Sequence, residues 1–297
     1  MTSGVPLSFG HMRVVDDAVA RLVMPGARER ALSDPWFANL YLFRKVHEHR
    51  FHPGRLPFVS GVAYDGTRYL LPLFDVAQAG RAELLALLSD HASLFPMMQE
   101  QLVGLESTRF EWTSRRDDSD YLYDAQRFRG YAGRDLAPKR NLVKQLLAAH
   151  AVRVEALVPA FETAALDVLA CWMQDKHKAA GEADVQACAE ALHHLQPLGL
   201  VGRMYFVDGE PAGFLIAQIL PDVAFMRFAK AGDRFKGIYQ FMFQEFCCAL
   251  PDLRWVNFEQ DLGLPNFRQT KLSYRPHSLV AKYRVRPREQ ERDPAQG

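Results

Sequence analysis

Residues 225–250 read Phe-Met-Arg-Phe-Ala-Lys-Ala-Gly-Asp-Arg-Phe-Lys-Gly-Ile-Tyr-Gln-Phe-Met-Phe-Gln-Glu-Phe-Cys-Cys-Ala-Leu. The first half is a short apolar run of strand character. The second half puts Phe235, Ile238, Tyr239, Met242, Phe246 and Leu250 on one helical face. Gly232 breaks the pattern between them, and Asp233 suits an N-cap. A strand is therefore expected to hand over to a helix whose first turn carries Arg234, Lys236 and Gly237. Backbone N–H groups at a helix start, beside two cations, form a site for phosphate or carboxylate. The alternative is an ordinary strand–helix joint with solvated cations.

The surroundings bound what such a site could serve. A chain of 297 residues is long enough for two modest domains or one large one. With a net charge of +1, no global field drives binding to nucleic acid or membrane, so any basic site is local. Cys171, Cys188, Cys247 and Cys248 form no Cys-x-x-Cys pair, which points to reduced thiols in a cytoplasmic protein. Cys247 and Cys248 sit in the apolar helix as packing residues. No apolar run approaches the roughly 20 residues of a membrane span. The start of the chain, with Asp16 and Asp17, does not read as a secretory signal.

Outward from the opening stretch, the pattern repeats. Asp65-Gly66 and Asp208-Gly209 are strong two-residue turn signals, each flanked by strand-like runs. Helical sequence precedes and follows each, which hints at a duplicated α/β unit. The expected division is an N-terminal domain over 1–128, a connector over 129–150, a C-terminal domain over 151–287 and a disordered tail over 288–297. In the second domain the order is strand, two helices, three strands, helix, strand, helix and two strands.

That order resembles the GNAT acyltransferase fold. GNAT enzymes hold the donor pyrophosphate at the helix after the fourth strand through Gln/Arg-x-x-Gly-x-Gly/Ala. Here Arg234-x-x-Gly237-x-Tyr239 is similar except at its end, where a bulky ring replaces a small residue. A closer resemblance covers most of the chain. Ser119-Asp-Tyr-Leu-Tyr, Gly133-Arg134, Lys139-Arg140-Asn141, Val207-Asp-Gly-Glu-Pro, Lys230-Ala, Lys236-Gly-Ile-Tyr-Gln240, Asn257-Phe-Glu-Gln-Asp-Leu-Gly and Arg268-Gln-Thr-Lys-Leu-Ser-Tyr274 resemble the family of the phosphatidylglycerol lysyltransferase C-terminal domain. The resemblance implies an α/β (α+β) fold of two tandem GNAT-like domains, each a mixed, mostly antiparallel sheet flanked by helices. For the membrane relatives it implies transfer of an aminoacyl group from charged tRNA to a lipid head group. The donor is then aminoacyl-tRNA or acyl-CoA, a substrate rather than a resident cofactor, and the acceptor a small molecule or lipid-like. A ligand-binding protein without chemistry is the third alternative.

On this reading Glu259 and Asp261 are the catalytic candidates. With Asn257 they alternate just after a strand core, so a continuing strand would point all three to one side. A carboxylate there could take a proton from the attacking group or hold the donor's α-ammonium. Lys230, Arg268 and Lys271 would neutralise anionic groups. The basic run Arg268, Lys271, Arg275, Lys282, Arg284, Arg286 and Arg288, with no acid between 268 and 288 and with Tyr274 and Tyr283 interleaved, would suit the acceptor end of a tRNA. Strand alternation places Lys282, Arg284 and Arg286 on one face. A charged, protected edge strand is the other reading of Lys282 to Arg288. Arg134, Lys139 and Arg140 could clamp an anion. His47, His49 and His52 lack the companions of a zinc site.

Overall fold

The computed structural model describes residues 4–23, 31–178 and 183–288. Most of the predicted tail, 289–297, lies outside the described residues. The elements in chain order are β1 (Val5–Pro6), α1 (Met12–Leu22), α2 (Phe37–Leu42), β2 (Arg50–His52), β3 (Phe58–Val62), β4 (Arg68–Pro72), α3 (Arg81–Leu88), β5 (Ser93–Met97), β6 (Phe110–Ser114), β7 (Asp120–Asp124), α4 (Ala125–Gly130), α5 (Ala137–Ala149), β8 (Val152–Ala156), α6 (Glu162–Asp175), α7 (Ala183–His193), β9 (Leu200–Val207), β10 (Glu210–Ile219), β11 (Val223–Ala231), α8 (Ile238–Ala249), β12 (Trp255–Asn257), α9 (Pro265–Leu272), β13 (Ser278–Val280) and β14 (Tyr283–Pro287). They form two mixed, mostly antiparallel sheets flanked by helices, in two GNAT-like units.

The first unit comprises Met1–Asp120, Gln260–Gly263 and Val280–Gly297. Its sheet runs β1-β2-β3-β4-β5-β14-β6, with β4 and β5 parallel. Leu84 and Leu88 of α3 pack with Phe58, Leu70, Leu94, Met97, Phe110 and Val285. On α1 the buried residues Val15, Ala18 and Val19 keep the three-and-four spacing of a helical stripe.

The second unit comprises Tyr121–Glu259 and Leu264–Leu279. Its sheet runs β13-β7-β12-β11-β10-β9-β8, and β11 and β12 are parallel. At the β9–β10 turn Asp208 and Gly209 have φ of 52° and 86°, the left-handed pair that a tight two-residue hairpin requires. At the β3–β4 turn only Gly66 is left-handed, and Thr67 leans on Asp65 through a 3.1 Å backbone hydrogen bond.

Two strands depart from the expected division. Residues 120–124 join the second sheet, where Leu122 faces Asn257 across β12. Residues 283–287 join the first sheet between β5 and β6. Both strands are short and carry no hairpin signal, so their partners are set by burial (Tyr121, Tyr123 and Val285 are fully buried) rather than by local sequence.

Helix α8 buries Ile238, Met242 and Phe246, as the 3.6-residue spacing predicts, against Tyr123, Phe128, Tyr205 and Leu215. Its start differs from expectation. The N-cap is Gly237, at φ 94°, not Asp233. Asp233 is spent elsewhere: its N–H donates to Asp175 at 2.8 Å and its carboxylate pairs with Lys176 at 2.6 Å. The helix C-terminus is capped by Arg129, which donates to the carbonyls of Cys247, Leu250, Pro251 and Leu253. A guanidinium at that end also suits the helix dipole.

Candidate functional site

The polar cluster of the second unit forms where β11 and β12 stop pairing. The two strands run parallel only from Val223 to Phe225 opposite Trp255 to Asn257. Beyond that point β11 continues and β12 ends. On its other side β11 slips register against β10: Ile216 faces Phe228, but Ala217 faces Met226. The slip makes Arg227 the extra residue of a β-bulge, a device that re-aims a side chain. Its guanidinium is buried, donating to Glu259 Oε1 at 2.5 Å and to Gln218 Oε1 at 2.7 Å.

Glu259 is held on a fixed perch. Asn257, fully buried, accepts the Glu259 N–H through Oδ1 at 2.7 Å. Glu259 itself sits at φ 57°, a left-handed conformation that a non-glycine residue keeps only when its surroundings impose it. Its carbonyl accepts from the Tyr121 N–H at 3.1 Å. The Lys271 ammonium donates to the carbonyls of Phe258 (2.6 Å) and Glu259 (3.2 Å). The Tyr123 hydroxyl in turn fixes the Lys271 carbonyl at 2.8 Å. The carboxylate of Glu259 remains 21% exposed while Arg227 is 1% exposed. A partly open carboxylate over a sealed cation can orient an ammonium or share a proton with a bound group.

The expected alternation of Asn257, Glu259 and Asp261 is corrected. The strand ends at Asn257, and left-handed backbone at Glu259 and Leu262 destroys the period of two. Asp261 belongs to the first unit, where it is buried, pairs with Arg116 at 3.0 Å and accepts the Gly263 N–H.

The expected phosphate site at the start of α8 takes another form. Gly237 lies so close to α5 that an added Cβ would stand 2.3 Å from the Leu142 carbonyl oxygen. Only glycine meets both the φ and the approach. Arg234 pairs with Glu210 at 2.7 Å, and Lys236 is exposed. The Tyr239 hydroxyl closes on Ala231, accepting from its N–H at 3.1 Å and donating to its carbonyl at 3.2 Å; burial pushes this phenol up to about 12. Gln240 donates to the Tyr274 hydroxyl at 2.9 Å.

The remaining candidates sort by partner. Lys230 is buried, paired with Asp184 and stacked 3.6 Å over the Trp172 ring. Tyr274 is a core aromatic stacked on Phe128, not an exposed platform for bases. Lys139 does reach it, 4.1 Å over its ring, and burial lowers that amine. Arg140 donates to the carbonyls of Tyr131 (2.5 Å) and Gly133 (3.4 Å), and Arg134 is exposed. Arg268 is half-buried on α9.

In the first unit the supposed basic stripe is largely an internal one. Lys282 is buried with Asp34 and Asp120, and Arg284 with Asp118. Only Arg286 and Arg288 face outward. The histidines are used locally: His47 with the Val62 carbonyl, His52 with Ser60, and His49 between the Leu40 carbonyl and the Tyr69 hydroxyl. Burial drives His49 down to about 3. Sequence reasoning missed Arg227 and Gln218. The signal was a lone arginine inside an apolar strand run, Phe225-Met-Arg-Phe228.

A comparison with curated proteins found no match. Among solved structures, the chain is similar to a conserved protein of unknown function from Bacteroides thetaiotaomicron VPI-5482, at 22% identity and TM-score 0.81, covering 97% of this chain and all of that one. It is also similar to the C-terminal domain named for a lysylphosphatidylglycerol synthetase from Agrobacterium fabrum (12% identity, TM-score 0.61, 94% and 92% covered). A third is L-PGS from Bacillus licheniformis (12% identity, TM-score 0.55, 84% and 90% covered). These likenesses establish the fold. A family model described as phosphatidylglycerol lysyltransferase, C-terminal, matches residues 27–286. The chain belongs to that family.

Proposed function

We propose that this protein is an acyl-group transferase that moves an aminoacyl group from aminoacyl-tRNA to a small-molecule or lipid-like acceptor, at the Arg227–Glu259 cluster. The observation that carries this reading is the partly exposed Glu259 carboxylate, held in a left-handed perch over a buried guanidinium where β11 and β12 part. In such a reaction the acceptor's amine or hydroxyl attacks the ester carbonyl of the donor. The resulting tetrahedral intermediate breaks its bond to the terminal ribose oxygen of the tRNA, and that oxygen takes up the proton given up by the acceptor and leaves as a hydroxyl. Glu259 would receive the acceptor's proton or anchor the donor's α-ammonium. Arg268 and Lys236 would meet donor phosphate. Lys271 would serve as a brace for the Glu259 backbone, since its ammonium is spent on two carbonyls.

An acyl-CoA donor is the second reading, and two features weigh against it. The Leu142 carbonyl oxygen, an acceptor, crowds the start of α8 where a pyrophosphate would need donors. The Tyr239 ring stands in the position that the motif reserves for a small residue. The test is a transfer assay with pooled radiolabelled aminoacyl-tRNAs and a cell extract as acceptor, run beside labelled acetyl-CoA. Label moving from tRNA into extract material supports the proposal. Label moving only from acetyl-CoA overturns it in favour of the second reading.

A further inference from the structure

Strand β8 ends the second sheet on one side, and among the described residues no strand pairs with its far edge. It pairs antiparallel with β9 without a bulge, Val152 facing Val207 and Ala156 facing Arg203. Just outside the strand, the Ala151 carbonyl accepts from the Asp208 N–H at 2.8 Å, and the Leu157 N–H donates to the Gly202 carbonyl at 2.9 Å. Antiparallel ladders alternate, so Arg153 and Glu155, in step with those two, spend their N–H and C=O groups on β9. The backbone groups of Val152, Val154 and Ala156 therefore point outward. A regular open edge of this kind is a template for another strand. The opposite edge, β13, is blunted by its length of three residues, and the edge strand β1 of the first unit is two residues ending in Pro6.

The side chains decide what the open edge accepts. Val152 and Val154 lie on one face, half-buried against the core beneath α8. Arg153 and Glu155 lie on the other, 54% and 43% exposed, joined to each other at 2.7 Å. An edge guarded by charge of one sign repels a second copy of itself. Here opposite signs stand two residues apart, which makes the strand complementary to itself. A second copy, antiparallel about a two-fold axis at Val154, would set Val154 against its counterpart and Val152 against Ala156. The outward N–H and C=O groups of all three residues then meet partners. In the same register Arg153 of each copy faces Glu155 of the other, at the non-hydrogen-bonded positions where cross-strand side chains come closest. A shift by two residues also aligns the backbone groups, but it sets Arg153 against Arg153 in one direction and Glu155 against Glu155 in the other. Like charges directly opposite are destabilising, so the charges select one register. An unrelated extended peptide would use the backbone groups alone.

We infer that β8 is the pairing edge of a symmetric dimer of this chain, in which the two second-unit sheets join into one continuous sheet. The inference stands apart from the transferase reading, because pairing needs no reaction. The test is sedimentation velocity of the full chain over a concentration series reaching about 200 µM, since a five-residue ladder makes a small interface. The expected result is a reversible monomer–dimer equilibrium. Arg153→Glu alone and Glu155→Arg alone each place like charges across the axis, and each should weaken dimerisation at least about tenfold. Both positions are exposed, so unfolding midpoints should shift little. An equimolar mixture of the two variants restores opposite charges at both positions and should dimerise like the parent chain. Val154→Pro removes an N–H that the sheet does not use, and should leave the chain folded and monomeric. A parent chain that stays monomeric throughout the series overturns the inference. So do charge variants that dimerise as well as the parent, or a mixture that dimerises no better than its components.

Discussion

Lys282 in the first unit and Arg227 in the second are both buried cations held by carboxylates, but their carboxylates differ in access. Lys282 is 1% exposed and its partner Asp120 is 0% exposed, with Asp34 and Gln260 completing the shell. The Ser33 N–H donates to the other Asp120 oxygen at 2.9 Å. The Lys282–Asp120 pair is sealed, while Asp34 at its rim is 20% exposed. Arg227 is equally buried, and Glu259 is 21% exposed. The two clusters therefore differ in one respect: Lys282 keeps a fully enclosed carboxylate in Asp120, which serves architecture alone. A buried pair is costly to break and weak as evidence of net stability, so the two clusters separate cleanly under mutation.

The largest effect is expected at the sealed pair. Lys282→Met would strand two carboxylates and cost about 3–5 kcal/mol, read as a loss of unfolding free energy in urea. The pH dependence follows from Asp120. Burial alone would raise its carboxyl, but Lys282 outweighs burial and holds it below the usual carboxylate range. A group whose folded-state value is depressed stabilises above its unfolded value, about 3.9 for aspartate, and loses that contribution as pH falls through the folded one. Stability should therefore drop below about pH 4 in the parent chain, and the drop should be smaller in Lys282→Met. A variant as stable as the parent would show that the pair is not sealed.

Next in size is Gly237→Ala. It forces a side chain into left-handed backbone and against the Leu142 carbonyl. A cost of about 2 kcal/mol or more is expected, visible as a lower thermal midpoint. The smallest contrast lies within β14. Arg284→Gln removes a buried partner of Asp118 and should cost about 1–3 kcal/mol. Arg286→Gln, two residues on and exposed, should stay within about 0.5 kcal/mol. Equal effects would mean that the strand is solvated on both sides, as the edge-strand reading of its sequence held.

This contrast also explains what was legible beforehand. The α8 face, the hairpins at Gly66 and Gly209, and the family resemblance were readable because each rests on local spacing or on a run of residues. Asn257, Glu259 and Lys271 were singled out through the resemblance, and their role at the site is a proposal. Asp233 was misread because its competitors, Asp175 at the end of α6 and Lys176 just after it, lie far off in sequence. Alternation put Lys282, Arg284 and Arg286 on one face, but it cannot say that Asp34, Asp118 and Asp120 cover Lys282 and Arg284 and leave Arg286 exposed. Arg227 escaped because a bulge arises from the mismatch of two strands, and no single strand records it.

The proposed reaction gives Glu259 the proton transfer and Arg227 the task of holding its carboxylate. The measurement that tests it most directly is the rate of aminoacyl transfer by Glu259→Gln, with its unfolding midpoint measured on the same preparation. Glutamine keeps an oxygen for Arg227 but cannot take a proton or carry charge. The expected result is a rate lower by about 10²-fold or more, with the midpoint shifted by only a few degrees. A variant that is folded and transfers at the parental rate would contradict it.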